Sequence, residues 1–425
     1  MKVLIKNGRI IDPSQDIDAN LDILIEDGCI AKIEENIDPI GIEEVIDANG
    51  LLVTPGLVDI HVHLRDPGHE YKEDIVTGTQ SAAAGGFTSV ACMPNTKPVN
   101  DNKALTSYMV YKGRLEGKAN VYPICTITKD QQGKSLVEMG DLKQAGCIGF
   151  SDDGLNVDCG EVLRRAMEYA TGFDMPIIAH AEDEAIKAGG VMNEGRVATE
   201  LGLKGNPWVA EAATISRDLM LAELTGARLH VCHISTRRSV ELIREAKKRG
   251  VRATCEVTPH HFTITEETVR GYDVNAKMGP PLRGADDVSA MKEGLADGTI
   301  DAIATDHAPH HIDDKNVEFN VAANGLIGLE TALPLTLRLV AENVLTLNEA
   351  INCLSTKAAQ ILNIPRGTLK QGVPADVTLI DPEYQWSVDA AKLYSKSHNT
   401  PFDGWKMTGA AMLTLRDGQV TFERK

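Results

Sequence analysis

Side chains able to hold a metal ion recur through the middle of this 425-residue chain, each at the end of an apolar run. His61 and His63 stand two apart, so on a strand both point to one face. Two imidazoles so spaced can share one cation through neutral ring nitrogens. His180, His233, Asp153 and Asp306 hold corresponding places further along. Four histidines and two aspartates exceed the needs of one ion, since a catalytic zinc takes three protein ligands and water. The surplus suits two cations sharing a carboxylate, and Asp153 is a natural bridge. A hydroxide between two cations is a nucleophile at neutral pH, and the same cations polarise a carbonyl. Strand alternation puts Asp152 and Asp153 on opposite faces, and periodicity alone does not choose between them. Asp306, in the last run and followed by His307, is placed to take a water proton and hand it to a leaving nitrogen, as ligand and shuttle at once.

Arg65 lies two positions past His63 and shares its face. A guanidinium beside a metal site needs an anion, and its fork suits a substrate carboxylate; the alternative is a salt bridge to Asp66 or Glu70. Asn95 and His310 can add donors to the same carboxylate. Together they describe a pocket for a small acidic amide. His230 alternates away from His233 and reads as packed between strand and helix; His69, His311 and His398 read as loop or surface residues. His260 and His261 are well placed, but no role is forced on them.

These residues come together only if the elements carrying them do. Eight β-branched runs recur: 57–66, 88–95, 120–128, 147–154, 176–183, 228–235, 252–261 and 301–310. Amphipathic stretches such as 239–250 separate them. Strand alternating with helix implies parallel strands and crossover helices. Eight units imply a (β/α)8 TIM-like barrel, whose functional groups lie at the C-terminal strand ends. The first 55 residues and the last 60 or so are rich in short strands with Asn-Gly and Asp-Gly turns. The expected organisation is a small β-sandwich domain from both chain ends (1–55 and 365–425) around a metal-dependent barrel (56–364).

The chain has 43 basic and 61 acidic residues, a net charge of −18. That balance argues against nucleic-acid partners and anionic membrane surfaces. No apolar run reaches the roughly 18 residues of a membrane span, and the N-terminus lacks the apolar stretch of a signal peptide. The eight cysteines include no C-x-x-C pair, so buried free thiols in a reducing cytoplasm are expected.

The string GLVDIHVHLRDPG (56–68) resembles the opening of the amidohydrolase superfamily, and its Arg narrows this to the cyclic-amide branch. With MPNT (93–96), FSDDG (150–154), IIAHAED (177–183), HVCHIST (230–236), EVTPHH (256–261), PPLR (280–283) and ATDHAPH (304–310), the chain resembles the bacterial dihydroorotase family of the long, barrel-plus-β-domain type. The motifs occur in order over nearly the whole chain. The resemblance implies reversible closure of N-carbamoyl-L-aspartate to (S)-dihydroorotate in pyrimidine synthesis. It implies zinc, two ions expected, at His61, His63, Asp153, His180, His233 and Asp306. A metal-bridged hydroxide would attack the cyclic amide. Asp153 would be the bridge in place of the carboxylated lysine of many relatives, and Asp306 the general acid/base. Arg65, Asn95 and His310 would hold substrate alongside His63, under a loop containing Asn324 and Gly325. The family usually has Asn where this chain has Gly279, so the contact expected there falls to backbone groups or Asn275. An allantoinase or hydantoinase is the competing enzyme, opposed by FSDDG and Arg65. A non-catalytic partner of aspartate transcarbamoylase is the competing scaffold, opposed by retention of all six ligands. The resemblance also implies a homo-oligomer, a dimer, with association with aspartate transcarbamoylase left open.

Overall fold

The computed structural model describes all 425 residues. Its middle is a closed ring of eight parallel runs in chain order. Leu57–Val62 pairs with Phe87–Cys92, which pairs with Asn120–Pro123. Ile177–Ala179, Leu229–Val231, Ala253–Val257 and Ala302–Ile303 are successive neighbours. The expected fourth strand is reduced to a single bridging residue. Phe150 pairs with Cys125 on one side and Ile177 on the other. Its neighbour Asp152 accepts from the backbone N–H of Ile127 and Thr128 at 2.8 and 3.1 Å, so a side chain replaces a longer backbone ladder there. A bridge between Val62 and His307 closes the ring.

The crossover helices follow from local signals. Thr236 caps Arg237–Lys248 by accepting from the Ser239 N–H, and Val240, Ile243 and Ala246 form its buried stripe at helical spacing. Asp74 and Thr77 form a reciprocal capping box on Ile75–Ala84. The apolar layer between strands and helices is the main core. A second, smaller cluster fills the barrel itself. Val58, Ile60, Met93, Ile124, Ile178 and Ala304 point inward, and Ala358, Ala359 and Ile361 of the helix Lys357–Ile361 join them. The candidate ligands therefore lie above a packed barrel interior.

The two chain ends meet in one mixed sheet. Leu52–Pro55 pairs with Lys2–Asp12 on one side and Val377–Ser387 on the other, joining N-terminal strands to C-terminal ones. The sheet has an apolar core of its own, including Val3, Ile5, Ile23, Val53, Val377 and Leu415. Between Val377–Ser387 and Lys406–Arg416 the chain leaves this sheet and runs back to the barrel mouth, an excursion its composition did not announce. All eight cysteines are free, and six are buried. No helix is long and apolar enough to cross a membrane.

Candidate active site

Four imidazoles and two carboxylates converge at one mouth of the barrel. Asp153 is at the centre. Its Oδ1 lies 3.4 Å from His61 Nε2, 3.6 Å from His180 Nδ1 and 3.9 Å from His233 Nε2, and its Oδ2 lies 3.6 Å from His63 Nε2. Asp306 Oδ1 lies 3.0 Å from His63 Nε2 and 3.5 Å from His61 Nε2. His180 Nδ1 and His233 Nε2 face each other at 3.0 Å. His61 Nε2 and Asp153 Oδ1 are buried and have no hydrogen-bond partner. Buried polar atoms are nearly always satisfied, and lone pairs facing one another are what a cation satisfies. The donor set therefore fits a metal centre.

Simple strand alternation would not assemble this cluster. The register of Leu57–Val62 slips against its neighbour between Asp59 and Val62, so Ile60 joins the inner plug while His61 also faces the ligands. His233, Asp306 and Arg65 have φ of 30°, 47° and 62°, a left-handed conformation few non-glycine residues adopt. Such backbone cost is characteristically held at functional sites. It also explains one correction. His230 does not lie between strand and helix: its Nε2 is 3.0 Å from Glu256 Oε2 and its Nδ1 2.9 Å from Thr254 Oγ1, on the interior side. His233 reaches the same interior because its backbone breaks the alternation.

Electrostatics holds both carboxylates ionised and divides the imidazoles: against burial, nearby anionic groups raise His61 and His180, whereas His233 is lowered. Burial alone would raise Asp306, but His61 and His63 hold it well below the usual carboxylate range. Asp153 is likewise held down against burial by His61 and His180. Burial and the neighbouring His180 and His61 lower His233 to about 3, which keeps it neutral and able to bind metal. Beneath His61, Glu256 Oε1 accepts from Nδ1 at 2.7 Å. Burial would raise Glu256, yet His61 and His230 bring it down to about 2. This ionised carboxylate orients the imidazole and raises its basicity.

Beside the cluster is a cavity of about 220 Å³ whose lining contains one apolar side chain, Ala308. Arg65 enters it and makes neither of the alternative salt bridges, to Asp66 or to Glu70. Asp66 is taken by Lys112 at 2.7 Å and Tyr108 at 2.9 Å, and Glu70 by the Gly68 N–H at 2.9 Å. Arg65 instead donates to the Pro309 carbonyl at 3.2 Å and lies 3.3 Å from His310 Nε2. Its charge is left without a carboxylate. Asn95 Oδ1 meets His63 Nδ1 at 2.9 Å, which leaves its amide nitrogen available. Gly279, Asn324 and Gly325 also border the cavity. Asn275 does not; the residue nearest the space above Gly279 is Asn324, whose Nδ2 lies 3.5 Å from where a Cβ would stand.

The choice between neighbouring aspartates is now visible, since Asp152 is spent on the Ile127–Thr128 turn. His261 is occupied by Thr258 Oγ1 at 2.7 Å and the Pro280 carbonyl at 3.1 Å. His260 is buried with its Nε2 unpartnered. Sequence reasoning missed Glu256, although it belongs to the EVTPHH string, because its role depends on a contact with His61, 195 residues away. It also missed Glu182 and Lys187 on the cavity wall and Asn399 from the C-terminal excursion. Asn399 accepts from the His310 N–H at 3.0 Å and donates to the Ala308 and Gly325 carbonyls, each at 3.0 Å. Nothing in its sequence context marks that role.

Residues 50–239 match the family described as "Dihydro-orotase-like". A dihydroorotase of Syntrophotalea carbinolica is 60% identical over 422 residues, 99% of either chain. One of Geotalea daltonii is 60% identical over 424 residues, the whole of both. Among solved structures, the L-hydantoinase (dihydropyrimidinase) of Arthrobacter aurescens superposes with a TM-score of 0.89 at 29% identity, covering 99% of this chain and 96% of that one. The barrel, its β domain and the imidazole–carboxylate cluster define a metal-dependent amidohydrolase. Within that class, full-length identity near 60% is decisive: the chain belongs to the dihydroorotase family.

Proposed function

We propose that the chain is a dihydroorotase, interconverting N-carbamoyl-L-aspartate and (S)-dihydroorotate in pyrimidine synthesis, with zinc held by His61, His63, Asp153, His180, His233 and Asp306. The observation that carries the reading is the central place of Asp153, within 3.9 Å of all four imidazoles and beside a cavity into which Arg65 projects without a carboxylate partner. That position suits one carboxylate shared by two ions. When bound, the ions would acidify water and polarise the ring carbonyl.

The chain's own residues do the rest. Asp306, kept ionised by the imidazoles around it, accepts the water proton on a carboxylate oxygen and delivers it to the departing amide nitrogen. In the synthetic direction the same oxygen receives the proton from the carbamoyl nitrogen. Arg65 takes the free substrate carboxylate with its unpaired guanidinium, and the Asn95 amide and His310 lie within reach of the same group. The strained backbone at Arg65, His233 and Asp306 fixes these groups before substrate arrives.

Dihydroorotate hydrolysis, measured with and without chelator and beside allantoin and hydantoin, tests the reading. Chelator-sensitive turnover of dihydroorotate is expected. Turnover of hydantoin alone would support the function named for the structural relative instead.

A further inference from the structure

Two lysines near the cavity, Lys277 and Lys315, are 5% and 2% exposed, and neither forms a salt bridge. Burying an ammonium without a counter-ion is unfavourable unless its donors are met. Here they are met by main-chain carbonyls. Lys315 Nζ contacts the carbonyls of Ala323 at 2.8 Å, Gly325 at 3.1 Å and Lys277 at 3.5 Å, one for each of its N–H groups. Lys277 Nζ donates to the carbonyls of Ala322 at 2.7 Å and Asn320 at 3.0 Å, and lies 5.5 Å from the centre of the Phe319 ring. The carbonyl of Lys277 also accepts the Gly325 N–H at 2.9 Å.

The carbonyls so held flank Asn324, which borders the cavity. A trans peptide directs its C=O and N–H to opposite sides. Fixing the Ala323 carbonyl on the lysine side therefore turns the Asn324 N–H away from it, and that N–H makes no hydrogen bond within the chain. Gly325 completes the geometry: its φ is +126°, and a Cβ there would stand 2.5 Å from that of Ala308.

We propose that Lys277 and Lys315 are positioning residues, an ammonium clamp that fixes the 322–325 segment so that the Asn324 backbone N–H serves as a donor to bound substrate. The proposal rests on the dihydroorotase reading for the identity of that substrate. The clamp sets binding, whereas the cluster around Asp153 and Asp306 sets chemistry.

Lys315→Met keeps the side-chain length and removes the donors. In the metal-loaded full chain it should raise KM for dihydroorotate about tenfold, about 1.4 kcal/mol, with kcat and metal content within about twofold of the parent. Amide exchange over residues 318–327 should quicken. Lys277→Met, which also leaves the metal cluster intact, should act in the same direction and serves if the first variant does not fold. An unchanged KM, or a fall in kcat with KM constant, would overturn the proposal. If the parent fails to turn over dihydroorotate, the functional reading falls. Exchange then decides the clamp alone: faster exchange in either variant supports it, and unchanged exchange refutes it.

Discussion

Replacing Glu256 by Gln isolates the effect of one buried charge on the metal site. The side chains are nearly isosteric, and Gln can still accept from His61 Nδ1, now 2.7 Å from Glu256 Oε1. Its amide NH2 can face His230 Nε2, now 3.0 Å from Oε2, with His230 Nδ1 donating to Thr254 Oγ1. Geometry is thus preserved and only the charge behind His61 is lost. A hydrogen bond to a charged group contributes about 1.5–3 kcal/mol and a neutral one about 1. The difference of about 0.5–2 kcal/mol falls on His61 alone, because His230 is not a candidate ligand, and corresponds to roughly two- to thirtyfold weaker metal binding. Competition with a chromogenic chelator measures that affinity, and turnover at saturating metal measures the chemistry. Metal affinity should fall by the stated factor while kcat at saturation stays within about threefold. Unchanged affinity, or a loss of kcat that added metal does not restore, would refute the argument that Glu256 acts through His61.

Asp306→Asn should leave the fold intact and lower kcat by at least about a hundredfold, since it removes the proton carrier; near-normal turnover takes Asp306 out of that role. Arg65→Ala should raise KM roughly ten- to a hundredfold with a smaller change in kcat, the cost of one charge-assisted pair with a substrate carboxylate; an unchanged KM contradicts that assignment. Glu330 tests linkage away from the site. Burial, against hydrogen bonds from Ser81 and the Tyr394 N–H, raises it to about 7, from 4.5 for an ordinary Glu. The folded chain thus retains a proton that the unfolded chain releases. The associated stability is present below about pH 4.5 and lost as pH rises through 7. Glu330→Gln should therefore gain stability relative to the parent by about 3 kcal/mol between pH 5 and pH 8.5 in denaturant unfolding; a difference flat with pH would sink the assignment.

Much of the site was legible from residue type and order alone. A period-two run ending in His-x-His, followed by runs ending in Asp, His, His and Asp, names all six candidate ligands, because parallel strands in a barrel bring their ends to one rim. Arg65 and Asn95 were legible for the same reason. Only the three-dimensional fold decided which neighbour faces inward. Asp152 is spent on a turn, and His230 lies inside although alternation from His233 placed it outside. A register slip at residues 59–62 and left-handed backbone at His233 and Asp306 interrupt the two-residue period on which such reasoning depends.

The supporting residues were hidden for a different reason. Glu256, Lys277 and Asn399 act through partners distant in sequence: Asn399 is 91 residues from Ala308, Glu256 is 195 from His61 and Lys277 is 45 from Ala322, while Lys315 reaches eight to ten residues on but into a loop with no regular period. No local pattern announces them, because a buried lysine or asparagine is recognised by the carbonyls that surround it. Side-chain chemistry at strand ends is a local property written in residue order. The hydrogen-bond partners that orient those side chains exist only once the chain has closed on itself, and they were decided there.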